Sequence, residues 1–369
     1  MNAGGHGSKP MADKRFSAEL PNEPFDIAGF VPPNQKIHDL PHRFFLHQQQ
    51  INGGRMDHYA ALSEAGALVM GNYDARDLPM GQYARQFTLA DNFFQAAFGG
   101  SFLNHQWLVC ACTPKFANAP ADMVTVLDKD GKIIKEREIT PNGYAVNTLQ
   151  PFAAPTRSGD AGKRLPPQLQ TTIGDRLSNK NISWAWYSGG WNNAVTGRPD
   201  PTFQFHHQPF AYYQNYAPNS KGRAEHLKDG ADFLNAIQQG KLPEVVFYQP
   251  IGALSEHPGY ADLLSGEQHV ADIVDKIQKS PLWKDTAIIV AYDEYGGFWD
   301  HVPPPQVDDW GPGTRVPALV ISPFAKRGFV DKTQYDTTSI LKLIELRFGL
   351  EPLGPRDDGR LRDAIARPQ

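Results

Sequence analysis

Two adjacent carboxylates follow a short apolar run in the last third of this 369-residue chain. Residues 287–292 read Ala-Ile-Ile-Val-Ala-Tyr, and Asp293 and Glu294 come directly after them. The run predicts a strand that is covered on both faces, as in the parallel sheet of an α/β protein, where ligands bind at the carboxyl ends of strands. Because adjacent like charges repel, a cation or a retained proton should offset them. We therefore expect a metal or phosphate-ester site here, with a solvated strand end as the alternative.

A serine after two glycines is the second group that could do chemistry. Gly99 and Gly100 allow a tight turn, and a helix beginning at Ser101 would direct free N–H groups at the anion that its hydroxyl attacks. From the local pattern alone, the commoner role is a helix N-cap, which serine fills very often. Both roles put Ser101 at the same helix end, so the pattern leaves the nucleophile and the cap open.

Several histidines lie in predicted loops or at the edges of predicted elements. They are His42, His105, His206, His207, His257 and His301. Each one alone is more often a hydrogen-bonding histidine than a ligand. Loops after successive strands converge at one edge of a sheet, however, so a group of them could contact a phosphate or protonate a leaving alkoxide.

The elements that must position these groups alternate between strands and helices after residue 180. This order predicts an α/β fold with a mostly parallel central sheet flanked by helices. Residues 1–35 read as an extended N-terminal arm, and residues 36–369 as a single domain. Within the domain, an insertion at about 115–167 contains a predicted hairpin, in which residues 124–127 and 132–135 flank Asp-Lys-Asp-Gly.

Composition sets further limits on function. With 40% hydrophobic residues, 21% charged residues and a net charge of −4, the chain has no basic excess that would indicate a nucleic-acid partner. No stretch approaches the roughly 20 apolar residues of a transmembrane span. The first ten residues lack the apolar core of a secretion signal, so a chain that starts here would be cytoplasmic, and one missing a signal-bearing N-terminus periplasmic or secreted. Cys110 and Cys112 are expected to be small core residues, since their spacing suits a mutual disulfide poorly.

Several separated segments, in the right order, resemble the bacterial phosphoesterase family of phosphatidylcholine-type phospholipases C and acid phosphatases. They are residues 39–44 (Asp-Leu-Pro-His-Arg-Phe), 90–94, 98–106, 257–259 (His-Pro-Gly) and 292–302, from Tyr-Asp-Glu-Tyr-Gly-Gly to Asp-His-Val. The resemblance runs from about residue 25 to the end. It implies an alkaline-phosphatase-like α/β core, a divalent metal ion of unspecified identity, and a phosphate monoester or phospholipid head group as substrate.

Carried over by motif, Ser101 is the nucleophile and a metal ligand, and Asp293 and Glu294 are the carboxylate ligands. The resemblance places His42, His206, His207 and His257 around the phosphate, with one of them protonating the leaving group. Hydrolysis would then proceed through a phosphoseryl intermediate, since metal coordination lowers the pKa of the hydroxyl and stabilises negative charge.

One family segment has no counterpart in the chain. Family members begin with an apolar strand that ends in Glu-Asn and supplies two further metal ligands, whereas Asn22-Glu23 reverses the pair and lacks the strand. Either the start is placed too late or the chain is truncated. The alternative function is therefore an N-terminally truncated, catalytically impaired phosphate-binding homologue.

Overall fold

The structure is a computed structural model that describes residues 23–155, 161–354 and 356. Its strands are β1 (Phe25–Asp26), β2 (Gly71–Asn72), β3 (Thr88–Phe94), β4 (Val126–Leu127), β5 (Ile133–Lys135), β6 (Trp184–Ser188), β7 (Leu227–Asp229), β8 (Val245–Gln249), β9 (Ile288–Ala291), β10 (Ala318–Ile321) and β11 (Phe329–Asp336). Its α-helices are α1 (Phe44–Ile51), α2 (Tyr59–Leu62), α3 (Pro79–Gln86), α4 (Ser101–Cys110), α5 (Ile173–Asn179), α6 (Trp191–Val195), α7 (Lys221–His226), α8 (Gly230–Gln238), α9 (Leu263–Gln278) and α10 (Thr338–Phe348). None of these helices is long and apolar enough to cross a bilayer.

The predicted α/β class is confirmed, with the central strands divided between two sheets. One sheet has the order β7-β6-β8 and is parallel throughout. The other has the order β11-β3-β10-β9, in which β10 runs antiparallel to both of its neighbours. The long helix α9 packs Ile273 and Ile277 in one apolar cluster with side chains from both sheets, including Ala185 of β6 and Ile288 of β9.

Strand β9 lies where the apolar run predicts it, but the expectation that both of its faces are covered is wrong. Ile288, Ile289 and Val290 are only partly buried, and Ala291 is exposed. The reason is topological, because β9 is an edge strand that pairs with β10 on one side only within the described residues.

The two cysteines are joined by a disulfide, so the expectation of two unpaired core residues is wrong. Helix α4 ends at Cys110, and Ala111 takes the left-handed conformation with φ 50°. This reversal of the chain brings the Cα atoms of Cys110 and Cys112 to 5.1 Å, a separation that a disulfide accommodates.

The predicted hairpin is present as the antiparallel pair β4 and β5. Just after it, the Glu136 carboxylate accepts hydrogen bonds from the backbone N–H groups of Phe45, at 2.8 Å, and Leu46, at 3.1 Å. The Asn147 side chain accepts the N–H of Phe44 at 3.1 Å. These three donors are the free N–H groups of the first turn of α1, which has no cap from its own segment. The insertion therefore caps α1 from outside and holds the segment that carries His42.

Most of the predicted N-terminal arm, residues 1–22, lies outside the described residues. Its last part is packed into the protein, since β1 pairs with β2 and the side chains of Ile27 and Val31 are fully buried. The division into an arm and a single domain stays a prediction.

Candidate active site

Ser101 is the first residue of α4, and its hydroxyl does not cap that helix. Gly100 occupies the N-cap position, and no side chain forms a capping hydrogen bond there. The Ser101 Oγ instead donates a hydrogen bond to Glu294 Oε1 at 3.2 Å. The structure therefore rejects the cap interpretation and leaves the hydroxyl facing a carboxylate.

The turn before Ser101 is held by close backbone packing. Gly99 has φ +84°, and a Cβ added there would lie 2.7 Å from the backbone nitrogen of Phe44. The Gly99 N–H donates to His47 Nδ1 at 3.0 Å, and the His47 ring stacks on Tyr295 with centroids 3.8 Å apart. Glycine is required at this position because both the backbone conformation and the contact exclude a side chain.

The two carboxylates lie beyond the end of β9, where strand alternation no longer separates them. Glu294 is buried, and its Oε2 accepts the Gly296 N–H at 2.7 Å while Oε1 faces Ser101. Asp293 Oδ2 lies 3.4 Å from His105 Nδ1. The same His105 nitrogen donates to the Ser101 carbonyl at 2.8 Å, so Asp293 also lies at the start of α4.

The histidines carried over by motif come together with Ser101 around one cavity of about 630 Å³. His42, His206, His207, His257 and Ser101 all contribute to its lining. The imidazoles of His42 and His257 have centroids 5.4 Å apart, and those of His206 and His207 have centroids 5.0 Å apart. Residues separated by more than 200 positions in sequence thus form one site. The exposed His301 does not line this cavity.

The electrostatics of the cavity distinguish His42 from His206 and His207. Burial lowers the pKa of His206 well below its ordinary value and that of His207 to about 3, so both rings are neutral. Burial also acts against protonation of His42, but the carboxylates of Glu294 and Asp39 outweigh it and raise the pKa of His42. The distance between His42 Nε2 and Glu294 Oε1 is 3.7 Å, which is within ion-pair range.

The pKa of Glu294 is also shifted from its ordinary value. Burial raises the pKa of its carboxyl group, and the neighbouring charge of Asp293 acts in the same direction, while His42 opposes both. This is the arrangement that the adjacent carboxylates predicted, since positive charge is needed nearby for both groups to ionise.

A group that sequence reasoning missed lies on the other side of His42. One ligand atom each from Asp39, His42 and His257 lie within 4.8 Å of one another, so these three residues could hold a metal ion. The Nδ1 atoms of both histidines donate to backbone carbonyls, those of Leu40 and Pro258, which leaves each Nε2 available as a ligand. Asp39 Oδ1 is buried and accepts no hydrogen bond from the described residues. Asp39 precedes His42 by three positions in the quoted motif, and this spacing was the available signal.

His47 was also missed, because nothing in its local sequence distinguishes it from the other residues of a helix. It lies on α1 and contacts the turn before Ser101 only in the folded chain. His105, a candidate without an assigned role, connects Ser101, Asp293 and the carboxyl end of β8, where its Nε2 lies 3.3 Å from Gln249 Oε1.

The donor set of the site fits a divalent cation. Carboxylate, hydroxyl and imidazole atoms converge within hydrogen-bond or ion-pair distance, and the buried Asp39 Oδ1 accepts no hydrogen bond from the described residues. Such oxygen and nitrogen donors suit hard or borderline divalent metals.

The chain is 28% identical to phospholipase C B of Mycobacterium tuberculosis, over 87% of this chain and 61% of the relative. It is 26% identical to a non-hemolytic phospholipase C of Pseudomonas aeruginosa, over 89% of this chain and 47% of that protein. The chain therefore spans about half to three fifths of the length of these relatives.

Among solved structures, the chain aligns with an alkaline phosphatase superfamily protein from Vibrio parahaemolyticus, with a TM-score of 0.43 and 11% identity over 91% of this chain and 74% of the other. Another is the PsFucS1 sulfatase from Pseudoalteromonas sp., with a TM-score of 0.40 and 12% identity over 78% of this chain and 66% of the other. The sequence pattern of the Phosphoesterase family matches residues 3–351. The chain belongs to the Phosphoesterase family.

Proposed function

We propose that this protein hydrolyses phosphate esters with Ser101 as the nucleophile and with phospholipids as a substrate class. The observation that carries the proposal is the Ser101 hydroxyl, which contacts Glu294 at 3.2 Å inside a cavity lined by four histidines. Family membership supports the reaction type, and the relatives named phospholipase C support the substrate class.

A divalent cation would be held by Ser101, Asp293 and Glu294. The second candidate group, Asp39, His42 and His257, lies next to this position, because His42 Nε2 is 3.7 Å from Glu294 Oε1. When bound, the cation would supply positive charge that lowers the pKa of the serine hydroxyl and stabilises the phosphoryl oxygens. Glu294 Oε1 already accepts the hydrogen bond of the hydroxyl, so it orients Oγ toward the cavity. The free N–H groups of the first turn of α4 face the same end and stabilise negative charge on the phosphate.

The pKa directions distinguish His42 from His206 and His207 as a proton donor. His206 and His207 are neutral at ordinary pH and can only accept or donate hydrogen bonds. The nearby carboxylates raise the pKa of His42, so it binds a proton more readily than those two histidines and is the proton donor that we propose. In the first step the bond from Ser101 Oγ to phosphorus forms as the hydroxyl proton passes to Glu294 Oε1, while the bond to the leaving oxygen breaks and that oxygen takes the proton of His42. In the second step water attacks the phosphoserine and gives a proton to His42. The bond from phosphorus to Oγ breaks, Oγ takes back the proton held by Glu294, and the phosphoryl product leaves.

Turnover of an aryl phosphate and of phosphatidylcholine, each with added Mg²⁺, Mn²⁺, Ca²⁺ or Zn²⁺, tests the proposal. We expect Ser101→Ala to lower kcat/KM by about a thousandfold or more, as loss of a nucleophile does. Acid quenching with labelled substrate should trap a phosphoserine in the native chain and not in the variant. Ser265→Ala is a matched control, because Ser265 is an exposed serine in the first turn of α9. Full activity of Ser101→Ala would refute the mechanism, and phosphate binding without turnover at any metal would support the impaired phosphate-binding alternative.

A further inference from the structure

The hairpin of the insertion forms part of the wall of the Ser101 cavity. Ile133, on β5, contributes to the cavity lining together with Leu62 at the end of α2. The next residue, Ile134, projects away from the cavity and is 65% exposed. The hairpin therefore has one side chain in the cavity wall and its neighbour in solvent.

Three large apolar side chains of this region are exposed. Val126 on β4 is 47% exposed, Ile134 on β5 is 65% exposed, and Leu62 is 39% exposed. Single exposed apolar residues are common on protein surfaces, but two on one hairpin, with a third beside the same cavity, form a candidate interaction surface.

The hairpin, residues 126–135, carries three lysines and two aspartates, and its net charge of +1 favours phosphate groups. Lys132 and Lys135 flank Ile133 and Ile134, and both lysines are exposed. Neither forms an ion pair with a carboxylate of the described residues, and the nearest glutamate in sequence, Glu136, is engaged by the N–H groups of α1. Apolar side chains next to free ammonium groups are the arrangement of segments that lie at a membrane interface, where the aliphatic part enters and the charge stays with the head groups.

We propose that the β4–β5 hairpin docks on the surface of a phospholipid bilayer and presents the cavity to lipid head groups. The inference rests on the proposed function, which it deepens by assigning the source of the substrate. A bilayer fits better than a protein partner or a second copy of the chain. Stable protein interfaces bury roughly 800 Å² on each partner, which is far more than two side chains of one hairpin supply. A fluid lipid surface needs no complementary shape.

Binding to lipid and hydrolysis can be measured separately. Sedimentation with vesicles of phosphatidylcholine and phosphatidylglycerol at 4:1 would use the full chain with Ser101→Ala, so that no lipid is consumed. Val126→Ser with Ile134→Ser is the test variant. Val307→Ser with Val330→Ser is the matched control, because these residues are 52% and 47% exposed and do not line the cavity. Turnover of a soluble aryl phosphate in the Ser101 chain shows whether each variant keeps its fold and site.

We expect the test variant to lower the vesicle partition coefficient about tenfold or more, since it removes most of the apolar contact. The control should stay within about twofold, and aryl phosphate turnover should change in neither. Lys132→Gln with Lys135→Gln should weaken binding mainly at low salt. The proposal is overturned if the Ser101→Ala chain with the native hairpin does not bind vesicles, or if the test variant binds them as tightly as that chain does. It is also overturned if the hairpin instead mediates a dimer. Vesicle binding through the hairpin by a chain that hydrolyses no phosphate ester would refute the proposed function and leave the docking surface standing.

Discussion

Replacement of Gly297 by alanine tests how the site is assembled. Gly297 lies in the turn after Asp293 and Glu294, with φ +84°. A Cβ added there would lie 2.5 Å from the Leu40 Cβ and 3.1 Å from the Pro41 carbonyl oxygen. These residues directly precede His42, so this contact sets the distance between His42 and Glu294.

The size of the effect follows from two contributions. A left-handed backbone conformation destabilises a folded alanine by roughly 1–2 kcal/mol. The lower conformational entropy of the unfolded alanine chain offsets somewhat less than about 1 kcal/mol of this loss. Forcing a methyl group into packed atoms costs a further 1–3 kcal/mol or so. We therefore expect Gly297→Ala to lower the free energy of unfolding by about 2–4 kcal/mol. The loop must also shift away from Leu40, which should separate His42 from Glu294 and lower kcat/KM by at least about tenfold.

Urea unfolding of Gly297→Ala beside Gly240→Ala separates these contributions. Gly240 has φ +65°, and an added Cβ there would have no atom within 4 Å. The control should lose about 1 kcal/mol, which is the backbone contribution alone, and should keep full activity. If the two variants lose equal stability, the close contact with Leu40 does not exist in the native chain and our account of the site's assembly is wrong.

Two buried groups should give opposite pH dependences of stability, measured by urea unfolding without metal. Burial lowers the pKa of His47 to about 3, so the unfolded chain binds a proton more readily and stability should be lost as the pH falls below about 6.5; His47→Gln should reduce that loss. Burial, together with the charge of Glu267, raises the pKa of Glu256 to about 8 despite its hydrogen bond from Tyr292. The native chain then holds the proton more tightly, and stability should fall as the pH rises from about 4.5 to 8. A Glu256→Gln variant with an unchanged slope in that window would contradict this.

Much of the α/β organisation could be read from local sequence. The run before Asp293, the Asp-Lys-Asp-Gly turn and the glycines before Ser101 each specify a backbone conformation through nearest neighbours. The structure has a strand at 288–291, a hairpin at Val126–Leu127 and Ile133–Lys135, and a helix from Ser101. These predictions are confirmed because hydrophobic period and turn chemistry act over a few residues.

The local patterns failed where neighbours come from distant segments. Burial of β9 was overestimated because sheet position, and not the strand's own composition, decides which faces are covered. The disulfide was missed because the left-handed turn at Ala111, which brings Cys110 and Cys112 together, has no sequence signature. The capping of α1 by Glu136 joins residues about 90 positions apart, and no local pattern reports it.

The sequence by itself determined which residue types are available for chemistry: a serine after two glycines, a carboxylate pair after a strand, and histidines in loops. It left the role of Ser101 open between cap and nucleophile, since both lie at one helix end. Only the tertiary structure placed the hydroxyl 3.2 Å from Glu294, with His42 beside that carboxylate and with His206, His207 and His257 around the same cavity. The physical reason is that backbone conformation depends on neighbours in sequence, whereas charge and proton affinity at a site depend on burial and on side chains from remote segments.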